Sequence, residues 1–194
     1  MSEVNLGGQN SFIGAWYVEE LDVCDELVAY FTSSASRVPG QVGDGQVDPD
    51  IKDSLDLQIG HDHFMDPPVL RYLNNLRGVV QRYVEKYQAS AALDEWGIAE
   101  NIAIQHYEPG GGYKVWHTER WGRGMPAAAR HLVFMTYLND VSDAGGTEFL
   151  YQGLTVQPKK GLTLIWPSDW THHHRGVVSP TEEKYIITGW FSFT

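Results

Sequence analysis

Between residues 16 and 31, apolar side chains recur at Trp16, Val18, Leu21, Cys24, Leu27, Val28 and Phe31. Their spacing is mostly three and four, which predicts one buried face of a helix. Residues 33–50 carry Pro39, Gly40, Gly43, Gly45 and Pro49 with few large apolar groups, and predict a long irregular loop of the kind that lids and binding loops use. A second helix is predicted from Pro67 and Pro68 to about Lys86 or Tyr87, with Val69, Leu73, Leu76, Val80, Tyr83 and Tyr87 as its apolar stripe. After about Gly97 the texture changes. Short β-branched and aromatic runs at 102–107, 132–138, 162–166 and 184–193 are separated by Gly, Pro, Asn and Asp. Ala103 with Ile104, and Phe134 with Met135, are apolar on both parities, so both faces of those strands are expected to be covered. The pattern predicts a mainly β (α+β) chain, a sandwich or jelly-roll barrel with helices laid on one sheet. Residues 1–194 are expected to form one domain, with 1–96 as helical support and loop and 97–194 as the β core.

Charge and cysteine usage narrow the chemistry. Lys and Arg number 14 against 25 Asp and Glu, a formal net charge of −11, so a nonspecific grip on nucleic acid or anionic lipid is unfavourable. No apolar run approaches the roughly 20 residues that cross a bilayer. Residues 1–10 are polar and lack a secretory pattern, which makes a cytoplasmic address the expectation. The single Cys24 excludes an intrachain disulfide framework and a cysteine zinc site, leaving oxygen and imidazole donors for any metal.

Such donors occur in the β half. His117 and Glu119 stand two apart on an extended segment and so point to one side. His172, His173 and His174 precede another predicted strand, where alternation puts His172 and His174 on one face and His173 on the other. Two imidazoles and a carboxylate on one side of an ion, with the other side open, make the ligand set of non-haem Fe(II) oxygenases, and zinc fits the same set.

Several further segments, in order, resemble the Fe(II)- and 2-oxoglutarate-dependent dioxygenases, within them the prolyl 4-hydroxylase-like group. Tyr107, Gly110 to Gly112 and Tyr113 resemble the approach to the family's H-x-D motif, and Phe134 to Asn139 its next strand. Gly145-Gly146-Thr147-Glu148-Phe149 is similar to its Gly-Gly turn, and Pro158-Lys159-Lys160-Gly161 to the turn before the strand that leads to the distal His. His174-x-Gly176, with Lys184 ten residues after His174, matches the distal-His strand pair.

The resemblance implies a double-stranded β-helix (jelly-roll) core, with Fe(II) held by His117, Glu119 and His174. It places 2-oxoglutarate among Tyr107, Tyr137, Lys184, Thr188 and Trp190, with Lys184 pairing its far carboxylate. Strand alternation independently sends Lys184, Ile186, Thr188 and Trp190 to one side, and Tyr137 with Met135 and Val133. One departure is plain: Glu119 stands where the family's usual acid is Asp. Dioxygen is the implied oxidant and ascorbate a candidate reductant. The implied reaction is hydroxylation of a C–H bond, with a prolyl or other residue of a peptide or protein as substrate. The alternatives are the same core acting on a small molecule or nucleobase, or a metal-binding jelly-roll module without turnover.

Arg120, Arg123 and Arg130 form an acid-free basic segment beside the proposed metal, so an acidic proline-containing peptide is the sharpest expectation, lying between that segment and loop 33–50. Trp116, Trp121 and Trp170 are candidates for an aromatic rim. His172 is expected at the pocket mouth, His173 outside it, and His61, His63, His106 and His131 in structural roles, with His106 facing the helices.

Overall fold

The computed structural model describes residues 2–7, 12–43, 45–122 and 124–194. Along the chain these form β1 (Gly14–Tyr17), α1 (Asp22–Ser33), β2 (Val38–Pro39), β3 (Lys52–Asp53), β4 (Leu55–Ile59), α2 (Pro67–Lys86), β5 (Trp96–Gly97) and β6 (Ile102–Tyr107). Then follow β7 (Gly112–Tyr113), β8 (Arg130–Tyr137), β9 (Thr147–Phe149), β10 (Leu154–Val156), β11 (Leu162–Pro167), β12 (His174–Gly176) and β13 (Lys184–Phe193).

One antiparallel sheet runs β1-β11-β8-β13-β6-β4-β2, with β5 added beside β13, and a smaller sheet runs β10-β9-β12. β3 pairs with β7. This is a jelly-roll, double-stranded β-helix core with helices on one sheet. The main sheet buries apolar groups on both faces by alternation. Leu132, Phe134, Ile165 and Ile187 pack outward on Leu27, Phe31, Tyr72 and Leu76 of the helices. Val133, Met135, Leu164 and Trp166 point inward to Phe149 and Val156 of the small sheet. Each large apolar side chain so buried contributes about 1.5–3 kcal/mol.

α2 has the predicted bounds and begins on its two prolines, whose missing N–H groups cost nothing in a first turn. Its buried face is Val69, Tyr72, Leu76, Val79 and Tyr83, with Leu73, Val80 and Tyr87 at the flank. The first helix starts later than its periodicity predicts. Trp16 lies in β1 and pairs with Thr163 of β11, and Leu21 is exposed. Trp16 and Val18 are two apart, which suits a strand equally, and the free edge of β11 decides between the two. β1, β2 and β4 also carry the sheet back into residues before 97, which the sequence assigns to helical support and loop. Within the predicted loop 33–50, Val38 and Pro39 join β4, and Val42 bridges Gln46. Among the described residues no helix is long and apolar enough to cross a membrane.

Candidate active site

The two imidazoles are brought together by backbone pairing. His117 and His174 exchange both N–H···O bonds at 3.0 Å, and directly paired antiparallel residues point to the same side. Their ring centroids stand 4.3 Å apart. Each Nδ1 faces a backbone carbonyl, of Val115 at 3.0 Å and of His172 at 2.9 Å, which orients the ring and turns Nε2 toward Glu119. Tyr113 stacks on His117 at 3.7 Å and fixes the ring plane.

Glu119 Oε1 lies 3.4 Å from Nε2 of both histidines, and the three ligand atoms fall within 4.8 Å of one another. Burial alone would raise the Glu119 carboxyl, but hydrogen bonds and charge from His117 and His174 outweigh it and hold the group well below the usual carboxylate range. Burial, followed by the charge of His117, lowers His174. Two oriented imidazoles and a carboxylate converging on one point fit a divalent ion of the Fe(II) or Zn type.

All eight predicted site residues line one cavity of about 540 Å³. Lys184 lies in its wall, 5% exposed, donating to the Gly145 carbonyl at 2.8 Å and lying 4.9 Å from the Tyr107 ring centroid. Among the described residues it pairs with no carboxylate, and burial pulls its ammonium down to about 8. A buried ammonium of this kind costs free energy that a bound anion would offset. Lys52, also in the wall, differs in being neutralised by Asp56 at 2.5 Å. Gly145 itself sits at φ +73°, where an added Cβ would also meet Val141 at 2.7 Å, so glycine is what lets its carbonyl face Lys184.

The remaining predicted groups have in-chain partners. Tyr137 donates to Thr147 Oγ1 at 2.6 Å, Tyr107 to Gln105 Oε1 at 2.6 Å, and Thr188 to the Phe134 carbonyl at 2.8 Å. Trp190 directs its N–H to Glu119 Oε2 at 3.0 Å. Thr147 follows directly on the Gly-Gly turn and was legible there. Glu100, which holds Arg130 through two nitrogens, carried no signal in the sequence.

Two expectations at the mouth change. Arg130 is committed to Glu100 and Arg120 to the Ala128 carbonyl and Asp169, while Arg123 lies outside the described residues, so the basic wall for an acidic peptide is largely neutralised. His172 does not line the cavity, because it closes a short 3₁₀ turn and strand alternation does not apply there. Trp121 lines the cavity. Trp116 lies under Arg175, and Trp170 is exposed beside Tyr151. His106 faces the helices as expected, between Phe31 and Tyr185.

Comparison with known proteins agrees with this geometry. Residues 102–192 match the 2OG-Fe(II) oxygenase superfamily model. Prolyl 4-hydroxylase subunit alpha-1 of Gallus gallus is 29% identical over 126 residues, covering 58% of this chain and 24% of the relative, and the Homo sapiens protein is 27% identical with 58% and 23% covered. The chain thus spans about a quarter of the length of these relatives.

Among solved structures, a Pseudomonas putida prolyl-4-hydroxylase superposes with a TM-score of 0.71 at 19% identity, over 93% of this chain and 92% of that one. A prolyl hydroxylase from Trichoplax adhaerens, solved with a hypoxia inducible factor peptide fragment, gives 0.71 at 16% identity over 94% and 84%. These two likenesses show the fold. The matched segment, residues 102–192, holds the His-Glu-His cluster and the buried lysine, so this part of the chain carries the 2OG-Fe(II) oxygenase match and the chain is similar to prolyl hydroxylases.

Proposed function

We propose that this protein is an Fe(II)- and 2-oxoglutarate-dependent hydroxylase of prolyl residues in a peptide or protein segment. The observation that carries the reading is the convergence, in one cavity, of His117, Glu119 and His174 with the buried Lys184, which has no carboxylate partner among the described residues. The matched superfamily implies Fe(II) and 2-oxoglutarate, and the chain's relatives are prolyl 4-hydroxylase subunits. Fe(II), with 2-oxoglutarate and dioxygen, supplies an oxidative decarboxylation that releases succinate and carbon dioxide and places one oxygen atom in a substrate C–H bond.

The chain's own groups do the rest. His117, Glu119 and His174 would hold the Fe(II), their ligand atoms converging at the wall of the cavity. The Lys184 ammonium takes the far carboxylate of the co-substrate, and Tyr107 covers that contact. Met135 and Ile186 supply apolar wall that keeps bulk water from the reacting groups. Gln41, Val42, Trp121 and Met125 also line the cavity that an extended segment would enter.

The test incubates the protein with Fe(II), 2-oxoglutarate, ascorbate and proline-containing peptides of varied charge, and measures succinate release together with peptide mass. The expected outcome is a gain of one oxygen on a proline. Turnover stimulated by a nucleoside or free amino acid and never by peptides would assign the same core to a small-molecule substrate.

A further inference from the structure

Glu119 is one methylene longer than the aspartate usual at its position, and the structure holds that longer arm from behind. Oε1 faces the two imidazoles at 3.4 Å, while Oε2 accepts the Trp190 indole N–H at 3.0 Å. The Trp190 ring lies under the Arg130 guanidinium, whose central carbon is 3.5 Å from the ring centroid. Arg130 in turn is gripped by Glu100, with Nε to Oε1 at 2.8 Å and Nη2 to Oε2 at 2.6 Å. Its Nη1 donates to the Glu119 backbone carbonyl at 2.9 Å and stands 3.6 Å from Oε2.

A β-bulge is what brings Arg130 to this side. In β8, Leu132 pairs with Phe191 of β13 and faces the helices, so a regular strand would send Arg130 the same way. The register shifts between Phe191 and Ser192, and Arg130 pairs with Ser192 instead. Ser192 has the parity of Trp190, so the extra residue, His131, turns Arg130 onto the cavity face. Bulges of this kind re-aim a side chain at the cost of local pairing.

We propose that Trp190, Arg130 and Glu100 are positioning residues that fix the Glu119 carboxylate for one-oxygen presentation to a metal, and that Glu100 keeps Arg130 from neutralising it. The proposal rests on the metal-centre reading above. A neutral indole donor orients Oε2 without cancelling the carboxylate charge. The guanidinium 3.6 Å away would cancel it, were its charge not already balanced by Glu100. The arm length matters for the same reason: an aspartate cannot keep both the imidazoles and the indole in reach.

The test measures Mn(II) dissociation constants of the full chain by calorimetry, without 2-oxoglutarate or substrate, alongside thermal unfolding. Trp190→Phe keeps a ring under Arg130 and removes only the donor, and its Mn(II) affinity is expected to fall about tenfold to a hundredfold with the melting temperature little changed. Glu100→Gln frees the Arg130 charge, so its loss of Mn(II) affinity should shrink as ionic strength rises. Glu119→Asp should weaken Mn(II) binding in the wild-type background and much less in Trp190→Phe, where the indole contact is already gone. Unchanged Mn(II) affinity in folded Trp190→Phe overturns the clamp, whether or not Glu100→Gln folds. A wild-type chain that binds no Mn(II) overturns the metal centre itself, a distinct result.

Discussion

The two faces of the main sheet are built from the same strands and do opposite work. On β13, Tyr185, Ile187 and Phe191 face the helices, while Lys184, Ile186, Thr188 and Trp190 face the cavity. The helix side is a large apolar cluster crossed by one buried Tyr72–Thr136–Thr163 hydrogen-bond chain, so its energy is distributed over many packed side chains. On the cavity side the polar groups of Tyr107, Tyr137, Thr188 and Trp190 each have a named partner, while among the described residues Lys184 lacks the counter-charge that Lys52 has. Apolar packing and the candidate site are thus separated by strand parity, so each should be open to perturbation almost alone.

The sharpest way to break this comparison is to remove a ligand. His117→Ala, Glu119→Ala and His174→Ala should each abolish divalent-metal binding and turnover while thermal unfolding shifts little, and His173→Ala should leave turnover largely intact. Metal binding that survived His174→Ala and vanished in His172→Ala would show that the wrong histidine has been assigned.

On the other face, Ile187→Ala should cost about 2–5 kcal/mol of folding stability in denaturant titrations, with the metal affinity of the folded protein preserved. A loss of affinity there would mean that the faces are coupled.

Lys184→Ala is expected to weaken 2-oxoglutarate binding by about 1.5–3 kcal/mol, roughly ten- to a hundredfold, with metal affinity nearly unchanged. Unaltered 2-oxoglutarate affinity would remove the cavity's anion site.

The same lysine sets a pH dependence. Burial lowers it from 10.5 to about 8, so between those values the unfolded chain binds more protons than the folded one, and this group's contribution to stability rises with pH. Dicarboxylate binding needs the ammonium and runs the other way. Its affinity should fall as pH climbs above about 8, by at most about tenfold per unit, and calorimetry should find that dependence gone in Lys184→Ala. The smallest effect belongs to Tyr137→Phe, which deletes a neutral donor to Thr147 and should weaken 2-oxoglutarate binding only a few-fold.

What the sequence determined by itself was whatever local periodicity and short spacing encode. The bounds of α2 follow from Pro67 and its apolar stripe. The shared side of Lys184, Ile186, Thr188 and Trp190 follows from alternation, and the candidate ligand trio, which the structure brings together, from an H-x-E triplet and a histidine ten residues before a lysine. Tertiary structure decided the rest, because it depends on which distant strands meet and in what register. β1 is a strand because β11 offers it an edge, and His172 leaves the cavity because a 3₁₀ turn interrupts alternation. Arg130 leaves a predicted substrate wall for the back of Glu119 because one bulged residue reverses its face, and because Glu100, thirty positions earlier in the chain, waits there with the opposite charge.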